Sequence, residues 1–94
     1  MAVLDLRLMS IQDLAHRRLR DIVVQYHVKY VYATYSEDGV VYYVNKVDEC
    51  YEVLEKAYHA TSDFDNITFK VYGEGYTKLP EDSFLCFKEG VWFG

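Results

Sequence analysis

The chain has 94 residues, a formal net charge of −5 and a hydrophobic fraction of 51%. This length suits one domain over residues 1–94 and is too short for two domains that each bury a core. A charged fraction of 27% beside this apolar content argues against disorder. No apolar run reaches the roughly eighteen residues of a membrane-spanning helix, and residues 1–10 show no secretory signal pattern. We therefore expect one cytoplasmic domain without membrane contact.

The acidic residues are concentrated in the later part of the chain. Residues 1–35 contain five basic and three acidic residues, whereas residues 36–94 contain five basic and twelve acidic residues. An acidic surface repels phosphate backbones, so we expect no direct binding of nucleic acid. The same charge favours a protein partner with a basic surface. The simpler interpretation, which stays open, is that acidity only keeps a small domain soluble.

The first predicted elements are a strand, a helix and a β-hairpin. Apolar and polar residues alternate over residues 3–9 as in a strand, although one helix over residues 3–24 fits the same apolar positions. Residues 11–25 carry an apolar stripe at helical spacing. β-Branched and aromatic residues predict a strand over residues 26–35. The Asp38-Gly39 pair then predicts a tight turn into a return strand over residues 40–45.

The later predicted elements are a helix over residues 46–60, a strand over residues 67–73 and a terminal hairpin from residues 84–87 and 91–93. The buried stripe of this helix is predicted to contain Val47, Cys50, Tyr51, Leu54, Ala57 and Tyr58. The predicted fold is α+β in the order β-α-β-β-α-β. This is the ferredoxin-like arrangement, an antiparallel sheet with two helices on one face, here followed by a short C-terminal β-hairpin. Without the first strand the order becomes α-β-β-α-β-β, which is still α+β.

The ten tyrosines of the chain point to an aromatic face on the sheet. A turn at Asp38-Gly39 pairs Tyr35 with Tyr42 and directs alternate residues to the opposite face. The face without helices is then predicted to carry Tyr30, Tyr32, Tyr43 and Tyr72. Three interpretations stay open: half-buried cross-strand pairs under residues 84–93, an interface with a partner or a second copy, and base stacking, which the acidic charge disfavours.

No motif for catalysis, metal binding or nucleotide binding is present. The histidines and the two cysteines lack the spacing of a zinc site, and Asp63-x-Asp65 lacks the glycine and glutamate of a calcium loop. His16, at the rim of the first predicted helix, is expected to face solvent. Cys50 and Cys86 are too few for a disulfide framework and are interpreted as small core residues. We therefore predict a non-enzymatic protein with no metal and no cofactor.

The charge pattern and the tyrosines together predict a binding domain for a basic protein partner. Carboxylates would attract that partner, and Tyr30, Tyr32, Tyr43 and Tyr72 would supply desolvated contacts. The carboxylates assigned to this role are Glu37, Asp38, Asp48, Glu49, Glu52, Glu55, Asp63 and Asp65.

In size, acidity and aromatic content the chain resembles small phage-encoded inhibitors of bacterial defence, such as anti-CRISPR and anti-restriction proteins. This resemblance implies docking on a basic CRISPR or restriction effector, at a site that otherwise holds nucleic acid. The four arginines within residues 1–20 depart from the pattern of an all-acidic mimic of DNA.

Two alternatives belong to other functional classes. The first is a ferredoxin-like homodimer that binds a small ligand or performs cofactor-free chemistry, with the tyrosines buried against a second copy. The second is a small subunit of a larger assembly. Solution mass separates the homodimer from the other hypotheses.

Overall fold

The computed structural model describes residues 15–92. Residues 15–25 are helical (α1), and the elements that follow are β1 (Tyr30–Ser36), β2 (Gly39–Asn45), α2 (Cys50–Ala60), β3 (Ile67–Tyr72), β4 (Phe84–Lys88) and β5 (Val91–Trp92). The predicted α+β class is confirmed. The predicted strand over residues 3–9 lies outside the described residues, and from α1 onward the order is α-β-β-α-β-β with β5 added. Neither helix, over the described part of each, is long and apolar enough to cross a membrane.

The five strands form one mixed sheet in the order β3-β2-β1-β4-β5. β1 pairs antiparallel with β2 and with β4, and β4 pairs antiparallel with β5. β2 and β3 pair in parallel, so the sheet is not antiparallel throughout as predicted, and its strand order differs in detail from the ferredoxin-like one. α2 returns the chain to the end of the sheet at which β2 began, so β3 runs in the same direction as β2. The two strands then pair in parallel, because no described strand lies between them.

The hairpin of β1 and β2 turns at Glu37 and Asp38, one position earlier than predicted. Tyr35 therefore pairs with Val40 rather than with Tyr42. Each residue of β1 is therefore paired with a β2 residue two positions earlier in the sequence than predicted. Because side chains alternate with a period of two, the shift leaves every residue on its predicted face.

Both helices pack on one face of the sheet, which we call the helix side. Ala15, Leu19 and Val23 of α1 and Cys50, Val53 and Ala57 of α2 are buried there. They pack against alternate strand residues, which are Val31, Ala33, Tyr42, Val44, Ile67, Phe69, Val71 and Phe87.

The buried stripe of α2 is rotated from its predicted position. Val53 is 1% exposed, whereas Tyr51, which was expected in the core, is 76% exposed. Tyr58 is 43% exposed and contacts the sheet with its hydroxyl group. The four residues Cys50, Val53, Leu54 and Ala57 are spaced i, i+3, i+4 and i+7, so they alone form a continuous stripe toward the sheet.

The connection over residues 73–83 first follows the edge of β3, where Thr77 bonds to Val71, and then returns along the sheet to β4. β3 and β4 run the same way but lie on opposite sides of the β1–β2 pair, so this connection has to return along the sheet. The helix side already holds α1 and α2. On the other face, Tyr43 is 5% exposed, and Leu79 and Pro80 of the connection are partly buried.

The terminal hairpin of β4 and β5 is confirmed, and it extends the sheet. Trp92 of β5 stacks on His16 of α1 and contacts Phe87, which places its ring on the helix side. The described part of the C-terminal segment therefore does not cover the tyrosines of the opposite face, so the cover that one interpretation placed over these half-buried tyrosines is wrong.

The outer strand β3 has a protected edge. The hydroxyl of Tyr58 accepts a hydrogen bond from the Phe69 N–H at 3.0 Å and donates one to the Phe69 carbonyl at 3.4 Å. The Thr77 N–H donates to the Val71 carbonyl at 3.1 Å. These contacts occupy backbone groups that another strand would otherwise pair with.

Candidate protein-docking surface

The predicted carboxylates lie along α2 and at the hairpin end of the sheet. Glu49 directly precedes α2, and Glu52 and Glu55 are exposed on it. The loop after α2 is joined to the hairpin because the Val40 N–H donates to the Asn66 carbonyl at 2.9 Å. The acids therefore follow one another along α2, its loop and the hairpin turn. We call this set the acidic surface: Glu37, Asp38, Asp48, Glu49, Glu52, Glu55, Asp63 and Asp65, all exposed.

The close contact between Asn66 and the hairpin requires glycine at position 39. Gly39 has a φ of 136°, and a Cβ built there would lie 2.1 Å from the Asn66 carbonyl oxygen. Any other residue would push the loop away from the hairpin. This glycine therefore keeps the two acidic segments of the hairpin end together.

One acid of this surface is already paired within the chain. Arg18 of α1 donates to Asp63 Oδ1 at 2.6 Å and to the Ala60 carbonyl at 3.2 Å. Its guanidinium also lies over the Phe64 ring, 5.0 Å from the centroid. The hydrogen bond from Arg18 is the main reason that the pKa of Asp63 is lowered. Asp63 thus holds α1 against the loop, and its charge is partly offset.

A lysine on α2 is also engaged with a neighbour. Lys56 lies over the Tyr26 ring, with its Nζ atom 5.6 Å from the centroid. The hydrogen bond with Tyr26 raises the pKa of Lys56, so this side chain stays charged and tethered toward α1. The carboxylates of Glu52 and Glu55 face solvent beside it.

The four predicted tyrosines lie together, but away from the acidic surface. By strand register Tyr30, Tyr32, Tyr43 and Tyr72 share the face opposite to the helices, as predicted, and we call them the tyrosine face. The Tyr32 and Tyr72 rings meet edge to face at 5.6 Å. Desolvation raises the pKa of Tyr72 to about 12. Their predicted role in partner binding stays a prediction.

The charges on the tyrosine face differ from those on the acidic surface. Lys70 of β3 and Lys88 of β4 share the register of the tyrosine face, and both are exposed. None of the described strand residues of this face is an acid. The sheet therefore separates an acidic surface from a tyrosine-rich surface that carries lysines. A partner that binds with one flat surface cannot contact both.

Sequence reasoning missed the aromatic residues that accompany the acids. Tyr51 is the most exposed of the large hydrophobic side chains among residues 15–92, and it stands beside Glu52 and one turn before Glu55. Tyr51 and Tyr76 line a groove of about 480 Å³ between α2 and the edge of β3. The signal was present in the sequence, because a stripe that includes Val53 turns Tyr51 outward.

His16 is buried, contrary to the expectation that it faces solvent. It is 8% exposed, its Nε2 lies 3.1 Å from the Tyr42 hydroxyl, and its ring stacks on Trp92 at a centroid distance of 4.4 Å. Desolvation is the main reason that the pKa of Tyr42 is raised far above its usual value, so the phenol stays neutral. The pair joins α1 to β2 inside the core.

The two cysteines are buried and free, as expected for core residues. Desolvation raises the pKa of Cys86 to about 12, which keeps its thiol protonated. Residues 15–92 contain no group of three or more His, Cys, Asp or Glu side chains arranged to hold a metal ion.

Comparison with protein-family models, with curated proteins and with solved structures gave no match for this chain. A function for it therefore has to be argued from the geometry and charge of its own residues.

Proposed function

We propose that this chain is a non-enzymatic cytoplasmic domain that docks through the acidic surface onto a basic surface of a protein that handles nucleic acid. The observation that carries the proposal is the position of Tyr51, 76% exposed among the carboxylates of α2. The carboxylates that would attract a basic partner and the aromatic side chain that would be buried against it thus lie on one side of the molecule. The four tyrosines assigned from the sequence do not share that side.

The two parts of the acidic surface have different roles in such docking. Exposed carboxylates steer a basic partner and raise the association rate, but each adds little to affinity. Interface affinity comes mainly from a few large side chains, with tyrosine prominent among them. We therefore assign Tyr51 as the central anchor and Tyr58, which is also exposed, as its neighbour two turns further along the same side of α2.

The partner class follows from the charge that the surface presents. Carboxylates spaced along a helix and a hairpin end complement the lysines and arginines that bind phosphate groups. Such docking would inhibit a CRISPR or restriction effector by competing with its nucleic acid. The homodimer alternative would use the tyrosine face, where Tyr43 is almost fully buried and the other three tyrosines are half-buried.

Competition with DNA tests the proposal. Purified CRISPR and restriction effectors are loaded with fluorescently labelled DNA, the protein is titrated in, and anisotropy reports DNA release. We expect release from at least one effector, weakened at higher ionic strength. The variant E49K/E52K/E55K should lose this activity. E74K/E81K/D82K changes the net charge equally at exposed sites outside the surface and should retain it.

Truncation of Tyr51 tests the apolar contribution to the proposed docking. Tyr51→Ala should weaken the effector complex by roughly 30-fold, the loss expected for a central interface residue. Val24→Ala removes another exposed apolar side chain, on α1, and serves as the control. Equal losses in both charge-reversal variants, or no DNA release from any effector, would contradict the proposed function.

A further inference from the structure

A cavity of about 520 Å³ opens at the hairpin end of the helix side. Tyr35 and Phe64 supply aromatic walls, the almost fully buried Tyr42 lies at the base, and Ser36 and Asp65 supply polar groups. A volume of this size with mostly apolar walls and a few polar groups is typical of a site for a small ligand or a single side chain. The acidic surface borders it, because the turn of Glu37 and Asp38 lies between lining residues Ser36 and Gly39.

The chain already holds one guanidinium group beside this cavity. Arg18 lies over the Phe64 ring and donates to Asp63, with the distances given above. Stacking on an aromatic ring together with a carboxylate contact is the arrangement that proteins use to bind arginine. The loop over residues 63–66 thus already binds one guanidinium group through an aromatic ring and a carboxylate.

A second carboxylate of the same loop has no such partner. Asp65 also lines the cavity, and within residues 15–92 it makes no ion pair and no side-chain hydrogen bond. Burial raises the pKa values of Tyr35 and Tyr42, so both phenols are neutral at physiological pH. The cavity therefore combines neutral aromatic walls with one unpaired negative charge.

We propose that this cavity binds an arginine side chain of a protein partner, with its guanidinium between the aromatic walls and the carboxylate of Asp65. Arginine fits better than lysine, because a planar guanidinium stacks on rings and presents several N–H donors to a carboxylate. This inference names a specific contact of the proposed docking surface and rests on the proposed function.

A titration with short blocked peptides tests the cavity directly. The probes are acetylated and amidated Ala-Arg-Ala, its lysine analogue, and its citrulline analogue, which keeps the shape of arginine without the charge. Backbone amide chemical shifts of the full chain report binding. We expect saturable shifts at Ser36, Asn66 and their neighbours with the arginine peptide. Binding of the lysine peptide should be several-fold weaker, and the citrulline peptide should give no saturable shifts.

The variant Asp65→Asn should weaken binding of the arginine peptide by about tenfold, as for the loss of one charge-assisted contact. Asp82→Asn, at an exposed position away from the cavity, should leave it unchanged. No saturable shifts, equal binding of the citrulline peptide, or equal affinities of the two variants would overturn the inference. Because the citrulline comparison uses the unaltered chain, the test does not depend on the folding of a variant.

The DNA-release assay separates this inference from the proposed function. One outcome is that DNA release depends on Glu49, Glu52 and Glu55 while the arginine peptide does not bind. That result would overturn the inference about the cavity and would still support the proposed docking surface. Peptide binding at the cavity without release from any effector would support the cavity and contradict the proposed function.

Discussion

The acidic surface and the tyrosine face both contain tyrosines, but these side chains differ in what surrounds them. Tyr51 projects from a helix into solvent, whereas Tyr43 lies in the second strand of the sheet and is almost fully buried. Neighbouring strands lie about 4.8 Å apart, so side chains on a sheet face crowd one another. The same residue type is thus exposed to solvent on one side of the molecule and packed against its neighbours on the other.

Truncation of one tyrosine from each region should separate these roles most strongly. We expect Tyr43→Ala to lower the free energy of unfolding by about 3 kcal/mol, near the cost of deleting other buried aromatic side chains. Tyr51→Ala should change it by less than about 0.5 kcal/mol, as at other exposed positions. Urea unfolding of both variants measures the difference. Similar losses would show that Tyr51 is packed against the domain.

The edge of β3 should give a smaller effect. Tyr58→Phe removes the hydroxyl that bonds both backbone groups of Phe69, and we expect a loss of about 1 kcal/mol in the free energy of unfolding. The freed edge should also increase self-association, which analytical ultracentrifugation detects. Tyr51→Phe, also on α2 but with no hydrogen bond to the strand, is the matched control. Unchanged stability would mean that water replaces the hydroxyl.

The tyrosine face should also respond to alkaline pH. The pKa of Tyr72 is raised from 10.0 to about 12, so the unfolded chain loses this proton first. Stability from this group is therefore complete below pH 10 and falls as the pH rises toward 12. Tyr72→Phe should flatten the curve of unfolding free energy against pH over that interval, whereas Tyr51→Phe should not. Parallel curves would show that the Tyr72 phenol is well solvated.

The acidic surface should respond to low pH, with the smallest effect. Arg18 lowers the pKa of Asp63 from 3.8, so the folded chain keeps this carboxylate ionised further into acid than the unfolded chain does. Its contribution is complete above the unfolded pKa and is lost as the pH falls through the lower folded value. Asp63→Asn should reduce the acid dependence of the melting temperature, and Asp82→Asn should not. An unchanged profile would show that the pair with Arg18 is absent in solution.

Local patterns in the sequence determined several elements and the two faces of the sheet. The period of two assigned Tyr30, Tyr32, Tyr43 and Tyr72 to the face without helices, and this assignment survived an error of two residues in register because it depends only on parity. The hairpin, α2 and the terminal hairpin were also predicted from local signals. The acids assigned to partner binding are all exposed, as expected because carboxylates are rarely buried without a partner.

Only the tertiary structure decided which residues meet. His16 is polar and stands at a helix rim by its spacing, yet Tyr42 and Trp92, distant in sequence, enclose it. The parallel pairing of β2 with β3 depends on where α2 returns the chain, which no local pattern records. Long-range packing also separates the tyrosine face from the acids. It brings Tyr35, Phe64 and Asp65, which are distant in sequence, around one cavity. Periodicity reports which side of its own element a residue occupies, whereas long-range packing sets what lies opposite that side.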